Sequence, residues 1–249
     1  MRISIVIPAY NEETLIGPCI EAVLRSAAAA HLAKDEYEVI VVNNASTDRT
    51  HDIASAFKGV RVVDEPHKGL TRARQAGFMA AHGELIANPD ADTLMPRRWI
   101  VRVLREFDKD PELAALSGPY RYYDLPLIDQ IITQIFNSFS FVAHIGNTYI
   151  LRRGATIQGG NFVLRRKALE AVGGYDTSIE FYGEDTDIGT RIAEVGKVRW
   201  IWTLYMYSSG RRLAAEGVFR IGTRYAANYL SVIFLKKPIT VEYTDIREE

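Results

Sequence analysis

The chain has 249 residues and a single cysteine, and its 30 Lys and Arg residues are balanced by 31 Asp and Glu residues. This length predicts one or two domains whose core forms without disulfides or a structural metal. Because Cys19 has no second cysteine to pair with, a disulfide framework is excluded and a reducing compartment such as the cytoplasm is favoured. The net charge of -1 argues against a general nucleic-acid-binding protein, so no nucleic-acid partner is expected.

The first ninety residues alternate short β-branched apolar runs with helical patterns. The predicted strands are 2–7, 37–42, 60–63 and 84–87, and the predicted helices between them are 15–30, 46–57 and 70–81. This alternation predicts βαβ units, and therefore an α/β fold with a mostly parallel central sheet flanked by helices. Such sheets bind ligands at the carboxyl ends of their strands, so function is expected in the polar segments that follow the strands.

Beyond Pro96 the alternation weakens. Helices are predicted at 99–107, 166–172 and 184–195, an extended segment at 113–123, and strands at 161–164 and 197–202. No linker-like composition or internal repeat interrupts the chain, which favours a single domain with two functional halves. The amino-terminal apolar run is too short for a signal peptide, and the uncharged segment 130–151 contains too many polar residues to be expected to cross a bilayer.

Two carboxylates, Asp90 and Asp92, follow the fourth predicted strand. Mg²⁺ and Mn²⁺ prefer oxygen ligands and are commonly held by one or two carboxylates together with substrate phosphates. The pair can therefore hold the metal of a nucleotide diphosphate, although the same short pattern is also common in solvated loops.

A second acidic cluster, Glu184, Asp185 and Asp187, opens a predicted helix. Carboxylates in a first turn are favoured by the helix dipole, so capping alone explains them. If one lies in a cleft, burial and a neighbouring like charge can raise its pKa enough for general-base catalysis. Both interpretations remain open from the residues alone.

Two further segments carry candidate binding residues. Gly159 and Gly160 precede Asn161 at the start of a short strand, where they form either a plain turn or a surface that a ligand approaches closely. Arg72 and Arg74 begin the third predicted helix, where they face either bound phosphates or solvent.

Several segments in fixed order carry a family resemblance. They are SIVIPAYNEE at 4–13, VVNNASTD at 41–48, ARQAG at 73–77, AHGELI at 81–86, DAD at 90–92, GGYD at 173–176 and GED at 183–185. In this order they resemble family 2 glycosyltransferases of the GT-A fold, over about residues 2 to 205. The ordered set is much more specific than any one segment.

The resemblance implies a role for each matching residue. Pro8, Ala9, Tyr10 and Glu12 match the loop that holds the base and ribose of a sugar nucleotide, and Asn43 stands where the family usually has the Asp that meets the base. The other implied roles are Asp48 as the acid ending the second motif, Arg74 as the arginine of the family's Ala-Arg-Asn segment, Asp90 and Asp92 as the metal and ribose motif, and Asp185 as the catalytic base. Apart from the resemblance, Gly160, Asn161 and Glu184 are candidates for the acceptor or diphosphate side. Arg211 and Arg212 either close over the pyrophosphate or belong to a basic surface.

Two departures from the family pattern matter for the site. Asn43 can accept a hydrogen bond but also donates, so the base that is read stays open. Some relatives supply a late His to the metal, whereas the last His here is His144. The metal, Mg²⁺ or Mn²⁺, is therefore expected to rest on Asp92 and phosphate oxygens.

The carboxyl-terminal part carries a local basic excess, with eight Lys or Arg residues and only Glu216 as an acid between 197 and 237. Two apolar stripes at helical spacing accompany it. One comprises Ile131, Ile135, Phe139, Val142 and Ile145, and the other Val218, Ile221, Tyr225, Tyr229 and Val232, with Arg220 and Arg224 beside it. Segments 130–150 and 213–237 are thus candidates for peripheral membrane contact or a homodimer interface, with core packing as the alternative.

Together these features predict an inverting glycosyltransferase that moves a sugar from a nucleotide diphosphate sugar to a hydroxyl of a glycan or lipid-linked acceptor, in surface polysaccharide or glycolipid synthesis. The GT-A domain is expected at 1–210, with a nucleotide-sugar-binding half at 1–95 and an acceptor half at 96–210, followed by an amphipathic helix and tail at 211–249. The expected location is the cytoplasm, with possible association with the inner face of the membrane. The alternatives are a noncatalytic nucleotide-sugar or glycan-binding module and a nucleotidyltransferase on a similar scaffold.

Overall fold

The computed structural model describes residues 1–146, 157–179 and 183–235. Its strands are β1 Ile3–Ala9, β2 Tyr37–Asn44, β3 Val60–Glu65, β4 Leu85–Pro89, β5 Thr93–Leu94, β6 Leu113–Ser117, β7 Tyr120–Tyr122, β8 Asn161–Arg165, β9 Lys197–Trp200 and β10 Met206–Ser208. Its helices are α1 Ile16–Ala29, α2 Thr50–Ser55, α3 Leu70–Ala80, α4 Trp99–Lys109, α5 Leu127–Ile145, α6 Arg166–Ala171, α7 Glu184–Val195, α8 Arg211–Glu216 and α9 Val218–Leu235.

Seven strands form one sheet in the order β3-β2-β1-β4-β8-β6-β9. The predicted mostly parallel sheet is confirmed, because only β8 runs against its neighbours β4 and β6. A second sheet of three short strands, β5-β10-β7, was not expected from the sequence. It covers the region beyond the end of β4, where Asp90 and Asp92 lie.

The alternation of side chains along the central strands builds the core on both faces of the sheet. In β1, Ile3, Ile5 and Ile7 face one hydrophobic cluster, while Val6 faces the other. Every residue of β1 is buried. The central strands are therefore covered by helices on both sides, and their carboxyl ends remain as the accessible edge.

The segment predicted as one extended run at 113–123 is divided in the structure. Residues 113–117 form β6 in the large sheet, whereas 120–122 form β7 and pair with β10. The break falls at Gly118 and Pro119, because proline cannot donate to a continuing ladder. This break turns the chain so that Tyr120 enters the region beside Asp90.

Candidate functional site

The loops that follow β1 and β2 are held together by side chains. Asn11 donates its backbone N–H to Ser46 Oγ at 3.1 Å, and Asn11 Oδ1 accepts the N–H of Thr47 at 2.8 Å. The buried N–H of Glu12 donates to Thr50 Oγ1 at 2.7 Å. These reciprocal bonds fix both loops at the carboxyl edge of the sheet, where the first two motifs of the sequence predicted a donor site.

The end of β1 and the end of β2 lie side by side at this edge. Pro8 and Ala9 are buried at the end of β1, and Ala9 pairs in register with Asn43 of β2. Tyr10 follows, and Lys68 Nζ lies 4.0 Å from the centroid of its ring, as in a cation–π contact. Four of the five residues that the resemblance assigned to the base and ribose thus lie together here, whereas the fifth, Glu12, is buried and paired with Arg211.

The carboxylates after β4 each have a specific partner. Asp90 Oδ2 accepts a hydrogen bond from the hydroxyl of Tyr120 at 3.1 Å. Burial and the negative charge of Asp90 raise the pKa of Tyr120 well above its usual value, so that hydroxyl stays protonated and able to donate. Asp92 Oδ2 lies 3.4 Å from Arg211 Nη2, and the same guanidinium pairs with the buried Glu12. Arg211 therefore joins α8 to the segments that follow β1 and β4.

The donor set fits a hard divalent cation that brings its own phosphate oxygens. Asp90 and Asp92 offer carboxylate oxygens, and within the described ranges no cluster of three or more His, Cys, Asp or Glu residues could enclose an ion by itself. Gly160 has φ +72°, and a Cβ there would overlap the Tyr120 hydroxyl and the Asp90 carboxylate. Because glycine has no Cβ, a space remains beside the Asp90 carboxylate, and the Cβ of any other residue would occupy it.

Arg74 occupies a different place from the one expected. Its side chain is fully buried, with Nη2 at 3.1 Å from Asp90 Oδ1 and Nη1 in contact with Glu184 Oε2. Burial raises the pKa of Glu184 to about 8, with Asp185 adding to the rise while Arg74 opposes it. Arg74 therefore does not face the cleft as a phosphate ligand. Arg74 instead links Asp90, which follows β4, to Glu184 of the GED segment.

Like Glu184, Asp185 of that segment lies beside Gly159. Its Oδ2 accepts the N–H of Gly159 at 3.2 Å, and its Oδ1 accepts the N–H of Thr186 at 2.7 Å. Burial raises the pKa of Asp185 despite these bonds, which act in the opposite direction. Because Gly159 contacts Asp185 and Gly160 contacts Asp90, two consecutive residues separate the predicted base from the predicted metal side.

Two predicted site residues lie elsewhere. Asn161 is completely buried, donates to backbone carbonyls including that of Leu204 at 2.8 Å, and accepts the indole N–H of Trp99 at 3.0 Å. Asn161 is therefore a core residue and not part of an acceptor surface. Arg212 pairs with Glu216 of the same helix at 3.3 Å.

Three residues near the site were missed by the sequence reasoning. Tyr120 contacts Asp90, the hydroxyl of Tyr175 donates to Asn88 Oδ1 at 2.9 Å, and Asp64 accepts a hydrogen bond from Asn43. Tyr175 lies inside the GGYD segment, which offered a signal for it. Neither Tyr120 nor Asp64 lies in any recognised segment, so only the fold places them.

The two apolar stripes have different environments. In α9, Val218 and Ile221 are buried in a cluster with Leu125 and Leu213, so this part of the stripe packs into the core. The side chains of Tyr229 and Val232, and the segments 147–156 and 236–249, lie outside the described residues. Arg224 pairs with Glu216 at 2.7 Å, which reduces the basic excess that α9 presents.

The stripe of α5 faces outward. Its exposed apolar side chains are Leu127, Ile128, Ile131, Ile135, Phe139, Val142 and Ile145. We call this set the α5 face. In the part of the chain that the structure describes, no helix is both long and apolar enough to cross a membrane.

The chain matches a known protein family. Residues 4–173 match the family described as glycosyl transferase family 2. The chain therefore belongs to glycosyl transferase family 2, and its sheet and flanking helices form the GT-A fold. The predicted fold class and the predicted family are thereby confirmed.

Individual relatives and structures place the chain within that family. It is 30% identical over 207 residues to the probable glycosyltransferase YdaM of Bacillus subtilis, covering 78% of this chain and 47% of that protein. It is 29% identical over 182 residues to a poly-beta-1,6-N-acetyl-D-glucosamine synthase of Staphylococcus epidermidis, covering 71% and 42%. The chain thus spans less than half the length of these two relatives.

Two solved structures share the fold at lower identity. The mannosyltransferase PcManGT from Pyrobaculum calidifontis, in complex with GDP-Man and Mn²⁺, superposes with a TM-score of 0.73 at 22% identity, covering 94% of this chain and 63% of that chain. TarS 1–349 of S. aureus, in complex with UDP-GlcNAc, gives a TM-score of 0.67 at 15% identity, covering 94% and 73%.

Proposed function

We propose that the protein is an inverting glycosyltransferase that transfers a sugar from a nucleotide diphosphate sugar to a hydroxyl of a glycan or lipid-linked acceptor. The observation that carries this proposal is the pair Gly159 and Gly160, which contacts Asp185 on one side and Asp90 on the other. A predicted base and a predicted metal-side carboxylate thus lie beside the same two consecutive residues. The poly-beta-1,6-N-acetyl-D-glucosamine synthase among the relatives supports a role in surface polysaccharide or glycolipid synthesis.

The donor would lie along the carboxyl edge of the sheet. Ala9, Tyr10 and Asn43 would meet the base and ribose, while Asp90 and Asp92 would hold Mg²⁺ or Mn²⁺ against the diphosphate. The Mn²⁺ in the PcManGT complex supports a divalent metal as the cofactor. When bound, such a metal stabilises the negative charge that develops on the leaving diphosphate.

Asp185 would act as the general base. The acceptor oxygen forms a bond to the anomeric carbon on the face opposite the diphosphate, the bond to the diphosphate oxygen breaks, and the acceptor proton passes to Asp185. A single displacement of this kind inverts the anomeric configuration. Burial of Asp185 raises its pKa and makes it a better proton acceptor than an ordinary exposed Asp.

The decisive experiment is a transfer assay with purified protein, Mn²⁺, and a panel of nucleotide diphosphate sugars and acceptors. Asp92→Asn is expected to weaken the metal-diphosphate complex and reduce turnover, and Asp108→Asn, an exposed surface carboxylate, serves as the matched control. Release of a nucleoside diphosphate with a glycosylated product supports the proposal. Release of pyrophosphate would identify a nucleotidyltransferase, and donor binding without turnover would identify a noncatalytic module.

The α5 face supports a peripheral contact with the cytoplasmic surface of the membrane that carries a lipid-linked acceptor. The helix lies against the site, since Asn137 Nδ2 donates to the carbonyl of Tyr120 at 3.1 Å. A contiguous stripe of exposed apolar side chains on one helix is typical of an interaction surface. Cosedimentation of wild-type protein and of Ile135→Glu with lipid vesicles tests the contact, and light scattering of both tests the alternative, a homodimer through the same face.

A further inference from the structure

The end of β2 carries two asparagines with different surroundings. Asn44 is buried and uses both ends of its amide: Oδ1 accepts the N–H of Gly69 at 2.8 Å, and Nδ2 donates to the carbonyls of Glu65 at 3.1 Å and His67 at 2.8 Å. It pins the segment after β3 to the end of β2. The role of Asn44 is therefore structural.

Asn43 is satisfied at only one end. Its Nδ2 donates to Asp64 Oδ1 at 2.8 Å, whereas its Oδ1 is buried and has no hydrogen-bond partner among the described residues. An unpaired buried carbonyl oxygen costs free energy that a hydrogen-bond donor recovers. No group within residues 1–146, 157–179 and 183–235 supplies that donor.

Asp64 also decides which way the amide of Asn43 points. An asparagine can exchange its donor and acceptor by turning over, but an ionised carboxylate only accepts. Because Asp64 lies on β3, Nδ2 must point toward β3, and Oδ1 is turned away from it. Ala9 of β1 is the register partner of Asn43 on the opposite side, and Tyr10 follows it.

We infer that Asp64 is a specificity-determining residue: it fixes the Asn43 amide so that Oδ1 accepts the ring N–H of the donor's base. This inference rests on the proposed function and deepens it. Uracil, thymine and guanine each carry a ring N–H next to a carbonyl. Cytosine and adenine carry an unprotonated ring nitrogen at the corresponding position. The lone pair of that nitrogen would face a lone pair of Asn43 Oδ1, and the two would repel each other. The protein therefore selects a donor whose base carries a ring N–H.

The test is isothermal titration of the purified chain with UDP, GDP, CDP and ADP in the presence of Mn²⁺. UDP or GDP is expected to bind at least about tenfold more tightly than CDP and ADP, the effect of one mismatched buried hydrogen bond. Asp64→Ala frees the amide and is expected to reduce this preference by about tenfold. Asp35→Ala removes an exposed carboxylate near the amino end of β2, the opposite end from Asn43, and should leave the preference unchanged.

An exchange of the two residues gives a second test. Asn43→Asp alone places two carboxylates at hydrogen-bond distance and is expected to weaken diphosphate binding. The double variant Asn43→Asp, Asp64→Asn restores a donor opposite residue 43 and should recover both binding and the preference for a ring N–H. The exposed position of Asp64 makes these variants compatible with folding.

The outcomes separate the inference from the proposed function. Equal affinity of the wild-type protein for all four diphosphates, or an unchanged preference in Asp64→Ala, would overturn the inference and leave the glycosyltransferase proposal standing. Failure of every diphosphate to bind would refute the donor site itself, and the inference with it.

Discussion

Replacement of Gly160 by alanine tests whether the glycine next to Asp90 is required by the site. Both Gly160, with φ +72°, and Gly173, with φ +79°, have left-handed backbone, but a Cβ at Gly173 meets nothing within 4 Å. Gly173→Ala is therefore a matched control, and its cost is the left-handed alanine alone, about 1 kcal/mol. In Gly160→Ala the new methyl group must also displace Asp90 and break its hydrogen bond with Tyr120.

Overpacking costs typically about 1 to 3 kcal/mol, and a lost hydrogen bond about 1 kcal/mol. We expect Gly160→Ala to lower the free energy of unfolding by about 2 to 4 kcal/mol more than Gly173→Ala, measured by urea denaturation. Glycosyl transfer by the folded Gly160→Ala protein should fall while that of Gly173→Ala stays near wild type. Tyr120→Phe removes the hydrogen bond without adding a methyl group and should give an intermediate stability. Equal stability and activity of the two alanine variants would refute the reasoning.

Three further predictions follow from the same geometry. Asp185→Asn should lower kcat by about 10² to 10⁴ with donor affinity nearly unchanged, and severe loss in Glu184→Gln with an active Asp185→Asn would exchange the roles. Burial raises the pKa of Asp185, so wild-type kcat should rise with pH along a limb that lies above the ordinary Asp range. This limb should be absent in Asp185→Asn, and a limb at the ordinary pKa of Asp would contradict the assignment of Asp185 as the base. Ala45, with φ +57°, pays the left-handed cost that glycine avoids, so Ala45→Gly should raise the free energy of unfolding by about 0.5 to 1 kcal/mol in urea denaturation, and a decrease would show that the loop is not strained there.

The strands and helices of the first half could be predicted because their signals are local. The complete burial of β1 follows from its continuous apolar run, and the predicted carboxyl edge does carry Asp90 and Asp92. The helix expected at 46–57 begins only at Thr50, because Asp48 Oδ1 accepts the N–H and the hydroxyl of Thr50 in a turn that precedes the helix. Such side-chain competition with the backbone is difficult to weigh from sequence.

The site details that could not be predicted depend on contacts between distant segments. The burial of Arg74 requires Asp90 and Glu184 to meet it from two other parts of the chain, and its segment alone is equally compatible with a solvated or phosphate-facing arginine. The antiparallel direction of β8 leaves no mark in its local pattern, which is apolar like that of its neighbours. The outward direction of the α5 face was likewise open, because helical periodicity shows that a stripe exists but not what covers it.

The side-chain bonds between the loops after β1 and β2 have a consequence for engineering the donor preference. Asn11 and Glu12 of the first loop are hydrogen-bonded to Ser46, Thr47 and Thr50 around the second, so neither loop keeps its shape if the other is replaced. A chimera that takes only one of these loops from a relative would leave both loops without their partners. Exchange of donor specificity between family members should therefore transplant the two segments as one cassette, together with the residue that faces position 43 from β3.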